Sequence, residues 1–259
     1  MELTIILDEL IEIYLQQVSS GLKKEFDALN DAELSTPNFS FYLSVASVFS
    51  SKIEGEDIDI DSYIKHKRDK ISFQPDYTKK IDDLYNAYLF AQQNPLNESN
   101  VKEAHKLASK HTVDAEWQGR YRVQNMYVAT DDGKIEYVAA RPSQVPDEIE
   151  KFYGDLAQLL STNLSIEEVF YFAAMIHLVF VKIHPWNDEN GRSARLLEKW
   201  FLAEKLGCKA WFIQSEKMYY LHHHAYYKNI RSMGLEYEAL DYNKSMPFLL
   251  MLPNALNNA

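Results

Sequence analysis

The chain has 259 residues, enough for one domain, or one with an appendage, that buries a single large core. Lys and Arg number 27 against 38 Asp and Glu, a net charge of −11; such a surface repels phosphate backbones and anionic lipid, so nucleic acid and membranes are not the expected partners. The one cysteine, Cys208, excludes an internal disulfide and a Cys-rich zinc site, so a cytoplasmic protein is the default expectation.

Gly and Pro number 8 each, few enough to predict long helices and few turns. The start of the chain carries Glu2, Asp8, Glu9 and Glu12 with no Lys or Arg before Lys23, the reverse of a secretory leader. Ile5, Ile6, Leu10, Ile13, Tyr14 and Leu15 recur at helical spacing, and residues 41–53, after Pro37 and Asn38, predict a second helix. Residues 76–92 put Ile81, Leu84, Tyr85 and Leu89 on one stripe; Asn94-Pro95-Leu96-Asn97 breaks it before a helix at 98–110. A boundary near Pro95 therefore divides an N-terminal helical region, 1–95, from a core domain, 96–259.

Arg120-Tyr121-Arg122-Val123 and Ile135-Glu136-Tyr137-Val138 alternate around Asp131-Asp132-Gly133, the pattern of a β-hairpin. Helical patterns return at 146–160, 166–183, from about Asp188 to Leu206, and at 215–233. The longest apolar run, 169–181, is too short to cross a bilayer and contains His177. The fold class read from these elements is mainly α, a helical bundle with one β-hairpin.

The densest chemistry lies at 183–195, Ile-His-Pro-Trp-Asn-Asp-Glu-Asn-Gly-Arg-Ser-Ala-Arg, between two strong helical patterns. Pro185 ends the first helix and leaves His184 at its edge, while Asp188 or a neighbour caps the second. Unsatisfied N–H groups at that second N-terminus, with Asn190 and Gly191, make an anion site. Arg192 and Arg195 share one helix face and both reach a polyphosphate there. Asp188 is a hard oxygen ligand suited to Mg²⁺ on such phosphates. The plain alternative is a packed His-Pro-Trp helix connection with Asp188 and Asn190 as caps.

His184, Asp188, Asn190, Gly191, Arg192 and Arg195 fall on the fixed positions of HxFx(D/E)GN(G/K)RxxR, and the segment resembles the Fic (filamentation induced by cAMP) family. The resemblance extends from about Glu98 towards the C-terminus. It implies a Fic-type helical bundle with a hairpin flap, and transfer of AMP from ATP, with Mg²⁺, to a Ser, Thr or Tyr hydroxyl of a target protein. His184 would be the catalytic base, Asp188 the metal ligand, and Asn190, Gly191, Arg192 and Arg195 the nucleotide-binding residues. Tyr121, Arg122, Val123, Tyr137 and Val138 would form the target-docking flap. Trp186 stands where the family has Phe, and Glu189 where it has a small residue lying against the phosphates; a carboxylate there crowds them unless it points to solvent or joins the metal shell.

Upstream, Ser50-Ser51-Lys52-Ile53-Glu54-Gly55 is similar to the family's (S/T)xxxE(G/N) inhibitory motif, with an ordinary helix end at Gly55 as the alternative. The resemblance places Glu54 against Arg195 and makes the N-terminal helical region a built-in inhibitor. Two other readings stay open: removal of AMP from a modified protein, with Glu54 orienting water, and a catalytically weak nucleotide-binding or interaction module because of Glu189. A homodimer is compatible with the apolar tail, 246–252. His177 reads as a core histidine, and His222, His223 and His224 fan apart on a helix and do not converge on a metal. The tyrosines at 219, 220, 226 and 227 read as core or interface.

Overall fold

The computed structural model describes residues 2–18, 20–37, 39–72, 75–129 and 133–256, the side chains of 75–77 excepted. In chain order these form α1 (Ile11–Gln17), α2 (Leu22–Asp27), α3 (Phe41–Ile53), α4 (Ile60–Asp69), α5 (Pro75–Gln93) and α6 (Glu98–Ala108), then strands β1 (Tyr127–Ala129) and β2 (Ile135–Val138). They continue with α7 (Val145–Ser161), α8 (Ile166–Ile183), α9 (Asn190–Leu206), α10 (Ser215–Leu221), α11 (His223–Arg231) and α12 (Met246–Leu249). Among the described residues no helix is long and apolar enough to cross a membrane.

Helix α8 is apolar on every face, which is the pattern of a helix surrounded by protein. It starts at a capping box formed by Ser165 and Glu168, and Phe170 to Phe180 are buried without exception. Helices α1, α2, α7, α9 and α12 pack around it, and α3 lies against α5, α9 and α10. One hydrophobic cluster runs from Ile5 to Leu256. It crosses position 95 without interruption: the Trp200 indole donates to the Asn94 carbonyl and the Leu96 N–H to Glu204. The N-terminal third is thus built into the same core as the rest.

Helices α3 and α8 have the bounds that periodicity predicts. The first helix does not, because it begins at Ile11, and Ile5 and Ile6 belong to an irregular segment ahead of it. Backbone N–H groups of Thr4, Ile5 and Ile6 converge on the buried carboxylate of Asp155, on α7, and this long-range anchor outcompetes local helix propensity. The single helix expected over 215–233 is two, broken at His222. The short helices α2 and α4 carry too few apolar positions to show a period.

The hairpin exists, with a different first strand. Tyr127 pairs with Val138 and Val128 with Tyr137 in an antiparallel ladder that becomes irregular between Val128 and Ala129. Residues 120–123 lie outside it, since Arg122 is drawn into the interior for a reason given below. Of the expected turn, Asp131 and Asp132 lie outside the described residues; Gly133 has φ +80°, which favours glycine. At its other edge Val138 donates to the Leu235 carbonyl.

Candidate active site

Helix α8 ends at His184, whose φ of +55° turns the chain sharply before Pro185. Two buried groups hold the turn. Arg122 donates to the carbonyls of Ile183, His184, Gln124 and Ala140, and its own N–H donates to the Pro185 carbonyl. Asn190 uses both ends of its amide on the backbone of Trp186, accepting at 2.8 Å and donating at 3.0 Å. Trp186 is sandwiched between His105 and Tyr121, ring centroids 4.2 and 4.6 Å away. The loop before α9 is therefore rigid, as a site that positions reacting groups requires.

Arg122 is thus not a docking residue of the flap. Replacing it with alanine leaves several buried carbonyls unpaired and is expected to cost about 3–5 kcal/mol in denaturant unfolding. Arg122→Lys recovers only part of that, because an ammonium lacks the fork that spans these acceptors.

The His184 ring is half-buried. Its Nδ1 lies 3.1 Å from the Val181 carbonyl, so this nitrogen carries the proton and Nε2 keeps a lone pair. Burial pushes its pKa down to about 4, outweighing the Val181 hydrogen bond. The imidazole is neutral at any ordinary pH.

Arg195 is wholly buried. Its Nε donates to Ser50 Oγ at 2.8 Å, Nη2 to the Ser50 carbonyl at 3.1 Å and to Glu54 Oε1 at 2.6 Å, and Nη1 to the Tyr226 hydroxyl at 3.2 Å. Glu54 follows the last turn of α3, and Gly55 behind it adopts φ +90° so that the chain can leave. Desolvation opposes the Glu54 charge, but Arg195 and Arg192 outweigh it and hold the carboxyl below its ordinary value. The same oxygen crowds the start of α9: a β-carbon on Gly191 would lie 2.6 Å from it. No side chain caps α9, so the Glu54 carboxylate sits where that helix end would receive an anion.

Behind Arg195, Tyr226 meets His177 Nε2 at 3.0 Å, and His177 Nδ1 meets Glu198 at 2.7 Å. Tyr219 also donates to that carboxylate. His177 is a core histidine with both nitrogens partnered, and its network braces Arg195.

Arg192 and Glu189 form a second pair. Glu189 neither points to solvent nor stands free for a metal: it is 3% exposed, and its Oε1 accepts from Arg192 Nη1. Asp188 is exposed, with Oδ1 accepting the Glu189 N–H at 2.7 Å. Lys80 and Glu56 pair at 2.7 Å at the rim.

Two recesses meet at Glu54, Val128, His184 and Gly191. One is mostly apolar and reaches back to Tyr137, Lys182 and Tyr227; the other is polar and runs past Asp188, Glu189 and Arg192 to Lys80. The first is apolar enough for a flat aromatic group, and the second sets Lys80 and Arg192 against the carboxylates of Glu54, Glu56, Asp188 and Glu189.

Residues 95–202, which contain this loop and both arginines, match the Fic/DOC family. The chain is similar to that family over this stretch. Over 114 residues it is 31% identical to "Protein adenylyltransferase Fic" of Nematostella vectensis, covering 43% of this chain and 24% of that protein. It thus spans about a quarter of the length of this curated relative. The fold extends further than the sequence match. A Fic family protein from Desulfovibrio desulfuricans G20 superimposes with TM-score 0.69 at 19% identity, over 96% of this chain and 70% of the other. A Fic domain containing signaling protein from Bacteroides thetaiotaomicron gives 0.66 at 17% identity, over 98% and 93%.

On this fold Glu54, His184 and Gly191 are at the junction of the recesses, with Arg195 lining the first and Asp188 the second. Asn190 is beside them with its side chain committed to Trp186. The expected flap residues scatter: Tyr121 stacks on Trp186, Tyr137 is buried with its hydroxyl donating to the Lys182 carbonyl, and Val123 and Val138 are exposed. Tyr226 and Thr112, which sequence reading does not select for the site, line it. Among the described residues His222, His223 and His224 form no metal cluster.

Proposed function

We propose that the chain is a protein adenylyltransferase restrained by Glu54. The observation that carries this reading is the convergence, at one end of α9, of a neutral histidine with a free Nε2, an uncapped helix N-terminus and two arginines. In the reaction, a target hydroxyl attacks the α-phosphorus of ATP and the bond to the β-phosphate breaks. AMP remains on the protein, and pyrophosphate leaves. His184 Nε2 takes the hydroxyl proton, which its low basicity permits as the oxygen bonds to phosphorus. The α9 N–H groups and Arg192 stabilise charge at the transferred group, and Arg195 grips the distal phosphates. The chain's work is positioning.

The donor set fits magnesium bound with the nucleotide. Asp188 offers one exposed carboxylate, and among the described residues no cluster of three metal-binding side chains exists to hold a resident ion. A site with one protein carboxylate completed by phosphates is a usual Mg²⁺ arrangement. Asp188 would hold the ion, which supplies charge neutralisation on the phosphates.

In the observed state Glu54 neutralises Arg195 and blocks the start of α9, so the restraint is electrostatic and steric at once. The test is incubation of the wild type, Glu54→Gly and Glu54→Gly/His184→Ala with α-labelled ATP, Mg²⁺ and cell lysate. Label on protein should rise in Glu54→Gly and vanish in the double variant. Label that survives loss of His184 contradicts the assignment. A second reading, a nucleotide-binding module without turnover, rests on the Glu189–Arg192 pair; it predicts nucleotide affinity in Glu54→Gly with no label transferred.

A further inference from the structure

Glu189 is the residue of the loop that the proposed reaction does not use. Its backbone is left-handed, φ +66°, at the position just before α9, where it makes no capping hydrogen bond. A β-carbon in that region is strained, and glycine avoids the strain. The side chain is buried and turned onto Arg192, three residues along the helix. This pair is poorly completed. Arg192 Nε has no hydrogen-bond partner, and Glu189 Oε2 has only the Thr112 hydroxyl beside it. Arg192 Nη2 has only the fringe of a second carboxylate, Glu56 at 4.0 Å. A charge pair with an orphaned atom is a weak stabiliser of the fold. What it does achieve is to occupy the guanidinium that faces the polar recess.

We propose that Glu189 is a second inhibitory carboxylate, holding Arg192 away from a bound polyphosphate independently of the Glu54 contact to Arg195. This rests on the nucleotide-site reading above. The polar recess is lined by Glu54, Glu56, Asp188 and Glu189 against Lys80 and Arg192, so it repels phosphate in the observed state. Releasing Glu54 frees Arg195 and leaves Arg192 engaged. The site therefore has two restraints on two arginines, one carried by α3 and one intrinsic to the loop.

The two restraints are separable by ligand. Arg195 is assigned to the distal phosphates, so Glu54→Gly should favour ATP over ADP. Arg192 is assigned to the proximal phosphates, so Glu189→Gly should strengthen ATP and ADP alike. The experiment is calorimetric titration of Mg-ATP and Mg-ADP into wild type, Glu54→Gly, Glu189→Gly and the double variant. Glu189→Gln, which keeps size and removes charge, serves if the glycine variant misfolds.

The expected result is a gain of about tenfold for both nucleotides from Glu189→Gly in the Glu54→Gly background, with a smaller gain of the same sign from Glu189→Gln. Dissociation constants within about twofold of Glu54→Gly overturn the proposal and leave the nucleotide site standing. A gain for ATP alone also overturns it, since that assigns Glu189 to the distal phosphates. Absence of binding in every variant overturns the nucleotide reading and this proposal with it.

Discussion

Replacing Glu54 with glycine is expected to raise affinity for Mg-ATP about 10- to 100-fold. The wild type must surrender a charge-assisted contact to Arg195 before a phosphate can take its place, and such a contact is worth about 1.5–3 kcal/mol net. At about 1.4 kcal/mol per factor of ten, that sets the range. The steric part adds to it, because the carboxylate lies against Gly191 at the anion-receiving end of α9. Glu54→Gln should recover only part of the gain: it removes the charge but leaves an amide in the same space. Titration calorimetry reads both. The same variant should lose stability in the absence of nucleotide, since Arg195 is then buried with no carboxylate. The Glu54 carboxyl is held below its ordinary value, so its contribution is present above the unfolded pKa and lost as pH falls through the folded one. The stability difference between wild type and Glu54→Gly should accordingly shrink on strong acidification.

Removing His184 is the second large effect. In the Glu54→Gly background, His184→Ala is expected to lower the rate of label transfer by about 10²–10⁴, the usual worth of a positioned general base. Nucleotide affinity should stay near that of the parent, because the ring contributes an acceptor nitrogen and no positive charge. The pH dependence carries the same assignment. With its pKa pushed down to about 4, the imidazole remains a competent base well below its ordinary value of 6.5. The acid limb of the Glu54→Gly rate profile should therefore fall near pH 4, and a limb centred at 6.5 would contradict the buried, neutral histidine. For stability the sign is the reverse of a histidine that gains a partner. The unfolded chain takes up this proton first, so His184 subtracts stability as pH falls from 6.5 to 4, and the subtraction is absent above 6.5.

What could be read ahead of the structure depended on how local the determinant was. Helix α8 is legible because the apolar run 169–181, interrupted only by His177, and the following Pro185 leave no alternative. The His184-to-Arg195 segment was legible because its chemistry is held in one stretch of chain. The meeting of Glu54 with Arg195 is different: 141 residues separate them, and only the resemblance of two distant motifs pointed to it. Nothing local indicated the role of Arg122, whose alternation with Tyr121 and Val123 mimics a strand while its partners are carbonyls some 60 residues away. The same holds for Ile5 and Ile6, where Asp155 decides the backbone from 150 residues off. Glu189 was recognisable as out of place, but its solution was not. The sequence offers solvent and metal as outlets, and the side chain instead takes Arg192 from a left-handed backbone position.

AMP transfer is read directly by intact-protein mass spectrometry of Glu54→Gly after incubation with ATP and Mg²⁺ in the presence of a candidate target or lysate, with Glu54→Gly/His184→Ala alongside. Modified protein should gain the mass of an AMP group, pyrophosphate should appear in equal amount, and both should disappear when His184 is replaced. A gain of a single phosphoryl group with release of ADP, or modification that persists without His184, would contradict AMP transfer with His184 as its base.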